Sequence, residues 1–407
     1  MRPFTSTISL EEARRRLDAA VRPIARTERL AISQGAGRVI AADVISAIDV
    51  PAFARAAMDG YAVVSADTTS ATTETPARLL LVDRIYTGQL STVTVVPGTC
   101  AEIATGAPLP AGADAVVMVE DTASDGEQIL VRAAATSGRN IGRRGADIMT
   151  GDLVVRAGEL LTPSRIGALA AIGQPNVTVY AKPRVAILST GNEVVDPGES
   201  LENGQIYDVN RFTLSAIVDA HGGAPRSHRA AQDTLESLTG ALDECLESDL
   251  IVFSGGSSVG TRDLVVDLVA ARGEMIFHGI AVKPGKPTAF ALMKTSRTSE
   301  TIPFLGMPGN PTSCLSNAYI LLIPFLRGVA RLPPHMPRIV RAPLGRRIAS
   351  SAGRHQFYTV RLENGAAFPA FKGSGDITSL SHADGYIEIP PDQDVVEEGT
   401  LVTVTLF

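Results

Sequence analysis

Val185-Ala186-Ile187-Leu188 runs straight into Ser189-Thr190-Gly191-Asn192-Glu193, and Leu250-Ile251-Val252-Phe253 runs into Ser254-Gly255-Gly256-Ser257-Ser258-Val259-Gly260. Pro303-Phe304-Leu305 repeats the pattern ahead of Gly306-Met307-Pro308-Gly309-Asn310-Pro311. Short unbroken apolar runs of this kind suit strands buried on both faces. Between them the sequence predicts helices over 209–220, 234–246, 262–271 and 311–326, and a further strand over 275–282. Strand and helix in alternation argue for a mostly parallel sheet with helices on both faces. Ligands in such sheets bind beyond the carboxyl ends of the strands, which is where the glycine-rich loops fall. Glycine allows main-chain N–H groups to close around an anion. With the stiff turn Lys283-Pro284-Gly285-Lys286-Pro287 nearby in sequence, the loops predict a pocket for a large phosphorylated ligand.

Outward from this unit the texture changes. Ser9-Leu10-Glu11-Glu12 has the spacing of a capping box and opens a helix over about 10–21. Short β-type runs broken by turns, such as Leu79-Leu80-Leu81-Val82 and Ala115-Val116-Val117-Met118-Val119, mark a β-rich insert. Thr162-Pro163 supplies a cap and a first-turn proline for a helix over 164–172. Pro333-Pro334 with Pro337 reads as a linker to a small terminal β domain ending in Leu401-Val402-Thr403-Val404-Thr405.

A chain of 407 residues implies two to four domains. A net charge of −6 argues against broad nucleic-acid or membrane-surface binding, so an anion would be held by a local site. Cys100, Cys245 and Cys314 lie far apart with no metal-ligand spacing, which suggests neither a disulfide framework nor a zinc site. No apolar leader follows Met1, and the apolar run 319–326 contains Pro324 and is too short to span a bilayer. A cytoplasmic protein is expected.

Lys283 and Lys286 flank a Pro-Gly turn and suit an oxyanion, with a solvated turn as the alternative. Asp208, Asp233 and Asp263 stand near predicted helix starts, where capping explains each one alone. Glu193 has no obvious capping role. A hard cation such as Mg²⁺ would take one or two of these carboxylates plus substrate phosphates. Arg139, Arg143 and Arg144 form a basic loop that reads as solvated surface. Gly256-Ser257-Ser258-Val259-Gly260 fits a nucleophile-elbow pattern, but no sequence argument pairs a histidine with Ser258, and an anion pocket is the better reading.

The full set of motifs resembles the molybdopterin molybdenumtransferase family, which includes bacterial MoeA and the E domain of gephyrin. The resemblance is carried by Ala57-Met58-Asp59-Gly60-Tyr61-Ala62, Thr105-Gly106-Ala107-Pro108, Gly112-Ala113-Asp114-Ala115-Val116-Val117 and Arg143-Arg144-Gly145 with Asp147. It continues through Ser189 to Glu193, Gly204-Gln205-Ile206-Tyr207-Asp208-Val209-Asn210, Ser254 to Gly260 with Asp263, and the Lys283 and Gly306 segments. It implies an α/β multidomain chain: a molybdopterin-binding α/β domain (7–26 and 178–328), a linking domain (27–45 and 148–177), a β-rich inserted domain (46–147) and a small C-terminal β domain (335–407). It also implies a homodimer that converts adenylylated molybdopterin and molybdate into molybdenum cofactor and AMP with Mg²⁺. Molybdopterin adenylyltransferase and apo-molybdoenzymes are the implied protein partners.

By the same resemblance, Asp59, Thr105, Asp147, Glu193, Asp233 and Asp263 fall at catalytic positions, with Asp263 and Glu193 also facing the metal. Gly255, Gly256, Ser258, Lys283, Lys286, Pro308, Pro311, Ser313 and Arg354 fall at substrate-binding positions. The chain departs from the family pattern at Ala56, Gly142, Ala146, Gln356 and Thr359. Three alternatives follow: a molybdopterin adenylyltransferase, a tungstate-preferring paralogue, or a non-enzymatic scaffold.

Overall fold

The computed structural model describes residues 7–255, 264–295, 301–351 and 353–407. Gly256, Ser258 and Asp263 lie outside the described residues. The chain forms two compact units, one made of Met1–Glu28, Gly37–Val39 and Tyr180–Phe407, the other of Arg29–Ala36 and Ile40–Val179.

In the first unit six strands lie in the order Ala224–Ser227, Arg184–Ser189, Leu250–Ser254, Thr301–Met307, Ala289–Lys294, Gly273–His278. The first four are parallel, Ala289–Lys294 runs against them, and Gly273–His278, antiparallel to it, returns to their direction, so the sheet is mostly parallel as the sequence predicts. Successive residues of a strand point to opposite faces. Val185, Ile187, Leu250 and Val252 pack under the helices Leu10–Ala20, Asn210–Ala220 and Pro311–Val329. Ala186, Leu188, Ile251 and Phe253 pack under Leu235–Cys245 and Leu264–Arg272. Helices therefore cover both faces. Ser189 pairs with Ser254 and Ser254 with Met307, which brings the three following loops to one sheet edge.

Local signals fix most helix ends. Ser9 caps the first helix by accepting from the Glu12 N–H at 3.1 Å. Thr234, not Asp233, caps Leu235–Cys245, accepting from the Ser237 N–H at 3.2 Å. The predicted strand over 275–282 is two: Gly273–His278 in this sheet and Val282–Lys283 in another. The strand Ala289–Lys294 has no counterpart in the sequence reading.

Helix Pro311–Val329 is 19 residues long with a mean hydropathy of 1.2, long and apolar enough by length and composition to cross a membrane. This corrects the expectation of a run too short to span. It is 72% buried and forms the centre of the α/β core. Pro324 has no N–H to offer the Ile320 carbonyl, and the helix passes through a π turn at Ala318–Leu322. The Arg14 Nε donates to that carbonyl instead, at 3.3 Å.

The same unit carries a second sheet, ordered Val282–Lys283, His355–Glu363, Gly385–Ile389, Leu401–Leu406, Ile339–Pro343, with Ala366–Pro369 alongside His355–Glu363. Val282 and Lys283 pair in parallel with His355 and Gln356. The terminal β sheet thus begins with residues from the lysine turn.

The second unit is built on the strands Ala115–Met118, Gly60–Val63, Thr99–Ile103, Ala77–Ile85, Gln128–Val131 and Thr122–Asp125, in that order. Its two faces hold separate cores around Leu79 and Ile103. A smaller core of Ile40, Val155, Leu161, Leu169, Val177 and Val179 includes the helix Pro163–Ala171, capped by Thr162. All three cysteines are free and buried. Burial pushes the Cys100 and Cys245 thiols up to about 12.

Candidate functional site

A cavity of about 1120 Å³ opens at the carboxyl edge of the parallel strands. It is walled by the loops after Ser189, Ser254 and Met307, by the lysine turn, and by residues of the terminal β domain. Glu193 and Gly255 line it from the first two loops, and Asp233 from the segment ahead of Leu235–Cys245. Lys283, Lys286, Pro308, Pro311, Ser313 and Arg354 line it from the others. Nine residues singled out from the sequence therefore share one cavity, although they span positions 193 to 354.

Backbone geometry explains why glycine stands at two of these places. Gly255 has φ +106°, and a Cβ there would lie 2.4 Å from the Thr190 carbonyl oxygen. Gly285 has φ +110°, and a Cβ would lie 2.4 Å from the Asn317 side chain. The Asn317 Nδ2 and the Thr288 hydroxyl both donate to the Gly285 carbonyl, at 2.9 and 2.8 Å. The lysine turn is thereby fastened to the buried helix Pro311–Val329.

Asp233, expected from sequence as a helix cap, instead accepts from the Thr190 hydroxyl at 2.5 Å, while its N–H donates to the Asn192 side chain at 3.0 Å. It is bound to the first glycine loop and lines the cavity. Asp208 does act at a helix start, accepting from the Arg211 N–H at 3.0 Å. It also accepts from the Ser189 hydroxyl at 3.3 Å and pairs with the Arg211 guanidinium at 3.3 Å. Arg211 forms a closer ion pair with Asp196 and donates to the His228 carbonyl.

Several residues of the site carry no local sequence signal. Lys283 Nζ donates to the Ser351 hydroxyl at 2.6 Å. Gln356, buried, accepts from the Ser350 hydroxyl and the Ser351 N–H at 3.0 and 3.3 Å. The Asn310 side chain donates to the Ser374 hydroxyl at 2.9 Å, and the Asn210 side chain to the Gly309 carbonyl at 2.7 Å. Ser351→Ala is expected to weaken binding of inorganic pyrophosphate by about 2- to 10-fold, because it removes the group that aims Lys283. Calorimetric titration of the variant checks this, and an unchanged affinity would remove Lys283 from the ligand's reach.

The remaining predicted positions among the described residues, Asp59, Thr105 and Asp147, lie in the other unit. The Thr105 N–H and hydroxyl both donate to Asp59, at 2.6 and 2.8 Å, and hold its carboxyl below the usual carboxylate range. Asp59 edges a small cavity of about 180 Å³ with Tyr61, Arg84 and Glu102. Asp147 lines a separate groove of about 600 Å³ beside the helix Pro163–Ala171. Within the basic loop, Arg144 pairs with Asp49 at 2.6 Å and Arg139 donates to the Ala134 carbonyl.

Among the described residues no group of three His, Cys, Asp or Glu side chains is arranged to hold a metal ion. Mg²⁺ needs only one or two carboxylates when substrate phosphates complete its shell. Glu193 and Asp233, which line the same cavity as the lysines, are of the number and kind that this lesser requirement asks for.

Three family patterns match the chain in order. They are the MoeA N-terminal region (domain I and II) over residues 8–173, a probable molybdopterin binding domain over 186–328, and the MoeA C-terminal region (domain IV) over 341–407. The chain is 34% identical over 399 residues to molybdopterin molybdenumtransferase 2 of Mycobacterium tuberculosis strain H37Rv, covering 95% of each. It is 31% identical over 409 residues to the molybdopterin molybdenumtransferase of Haemophilus influenzae, covering 98% of each. Among solved structures, a molybdopterin biosynthesis MoeA protein of Pyrococcus horikoshii superposes with a TM-score of 0.84 at 38% identity, covering 98% of this chain and 99% of that one. Neither the adenylyltransferase, the tungstate-preferring nor the scaffold alternative is favoured by these likenesses. With relatives of this identity aligned along almost its whole length, the chain belongs to the molybdopterin molybdenumtransferase (MoeA) family.

Proposed function

We propose that this protein is a transferase of molybdenum cofactor biosynthesis that inserts molybdate into adenylylated molybdopterin, with release of AMP. The observation that carries this reading is the single cavity in which Lys283, Lys286, Arg354 and Ser313 stand with Glu193 and Asp233. Cations and hydroxyls suit the phosphoryl oxygens of a phosphoanhydride and the oxygens of molybdate. Carboxylates on the same wall suit a divalent ion shared with those phosphates.

In this reading Lys283, oriented by Ser351, and Lys286 bind the anhydride oxygens and stabilise the negative charge that grows as the P–O bond to AMP breaks. Gly255 and Gly309 line the same cavity, where main-chain groups can meet a phosphate. Ser313 and Arg354 hold molybdate near the dithiolene sulfurs that will bind molybdenum. Glu193 and Asp233, with Asp263 in the family pattern, would hold Mg²⁺, which when bound would neutralise phosphoryl oxygens. Asp59, Thr105 and Asp147 complete the catalytic set by family position, as Gly256, Ser258, Pro308 and Pro311 complete the substrate-binding set.

The same reading makes the protein a cytoplasmic homodimer of four-domain protomers bounded as the resemblance implies, receiving substrate from molybdopterin adenylyltransferase and delivering product to apo-molybdoenzymes. Purified protein given adenylylated molybdopterin, Mg²⁺ and molybdate is expected to release AMP and to form a cofactor that activates an apo-molybdoenzyme. Formation of adenylylated molybdopterin from ATP and molybdopterin, with no AMP release in the first assay, would overturn the assignment.

A further inference from the structure

We propose that Tyr207 forms the wall against which a flat heteroaromatic ring of the substrate lies. This rests on reading the cavity as the site for an adenylylated pterin, a ligand with a fused ring at each end of its phosphates. The phosphates account for the lysine turn. The rings need a separate, apolar surface in the same cavity of about 1120 Å³.

Among the described residues two aromatic side chains line that cavity, Tyr207 and Phe371. Phe371 is half-buried and already packs on Tyr358, ring centroids 5.4 Å apart. Tyr207 is 40% exposed and its neighbour Ile206 is 54% exposed. Single exposed apolar residues are ordinary on protein surfaces and need no ligand to explain them. Tyr207 differs because it is held in place. The Tyr207 hydroxyl donates to the Glu199 carbonyl at 2.9 Å. Ile206–Tyr207 pairs in parallel with Val194–Val195, and the ribbon is closed by Ile206 N–H to the Glu193 carbonyl at 2.8 Å and Asp208 N–H to the Val195 carbonyl at 2.9 Å.

Buried Arg211 then grips both strands of the ribbon at the same end, through Asp196 after the first strand and Asp208 after the second. A surface fixed before the ligand arrives loses little freedom when a ring stacks on it. The ribbon also begins beside Glu193, whose carbonyl it uses, so the ring wall and that cavity carboxylate are parts of one hydrogen-bonded piece. Adenine and pterin share the chemistry that this wall recognises, a planar π-face.

Titration calorimetry with three probes tests the wall: AMP, adenylylated molybdopterin and inorganic pyrophosphate. Tyr207→Ala is expected to weaken at least one ring-bearing probe by about 5- to 100-fold, the range of base–aromatic stacking, and to leave pyrophosphate within about 2-fold. Loss for AMP identifies the adenine ring as the occupant, and loss for adenylylated molybdopterin alone identifies the pterin. Tyr207→Phe keeps the ring and loses the hydroxyl, and is expected to bind the ring-bearing probes close to wild type. Wild-type affinities in Tyr207→Ala, equal loss for all three probes, or a Phe variant as impaired as the Ala variant would each overturn the proposal. Wild-type protein that binds none of the probes would overturn the substrate reading and the wall together. Loss confined to the variant separates the two.

Discussion

Replacing Arg211 with methionine is expected to lower the stability of the α/β unit by about 3–5 kcal/mol, the cost of leaving a buried carboxylate without its partner. Arg211 is 8% exposed and Asp208 is 4% exposed. Their side chains face each other at 3.3 Å, and the Asp208 Oδ2 has no hydrogen-bond partner of its own. Methionine fills similar volume but leaves Asp208 charged in a dry place and Asp196 without its closest cation. Urea unfolding followed by circular dichroism measures the loss. Adding Asp208→Asn should recover part of it, because the stranded charge is then gone. A loss below about 1 kcal/mol, with no recovery in the double variant, would show that the pair contributes nothing to holding the unit together.

Lys286→Ala should act on binding and spare the fold. A charge-assisted hydrogen bond to phosphate contributes roughly 1.5–3 kcal/mol, so pyrophosphate affinity should fall by about 10- to 150-fold. The truncation leaves the turn's main-chain bonds in place. The Lys286 carbonyl accepts from the Ile280 and Thr288 N–H groups at 3.0 and 2.9 Å. Calorimetric titration beside a thermal melt separates the two effects. Unchanged affinity at an unchanged melting temperature would remove Lys286 from the anion site.

What could be read in the sequence was what short-range chemistry decides. Val185–Leu188 and Leu250–Phe253 are apolar without interruption because both faces of their strands are covered, and that pattern alone marks them. Ser9 and Thr162 cap helices through contacts three residues away, well within a local reading. Asp233 and Thr234 compete for the same cap, and local reading chose the wrong one. The hydroxyl bonds its own helix while the carboxylate is claimed by Thr190, 43 residues earlier in the chain. Strand Ala289–Lys294 escaped for a related reason: it runs antiparallel between Thr301–Met307 and Gly273–His278, and its partners are fixed by the finished sheet.

The site divides in the same way. Gly255 and Gly285 announce themselves, since a side chain at either would strike a neighbour. Lysines beside a Pro-Gly turn are equally visible. Ser351, Gln356 and Ser374 are not, because nothing around them in sequence says that they will meet Lys283 and Asn310. Gln356 counted in the sequence only as a departure from a family pattern. In the fold its side-chain oxygen orients the serine that orients a cavity lysine.

The pairing of Val282–Lys283 with His355–Gln356 bears on how such a gene can be cut and rejoined. Pro333-Pro334 looks like a seam at which a terminal module could be exchanged or lost. Yet the module's first strand is supplied from the far side of that seam, and the hydroxyl that steers Lys283 comes back across it. A chain ending at the prolines would keep its parallel strands but present a frayed strand edge where the cation should be steadied. A foreign module grafted there would have to reproduce the ladder as well as the hydroxyl. The unit of inheritance is therefore larger than the unit of folding suggested by the linker, and recombination inside this gene should be tolerated only where both sides of that ladder travel together.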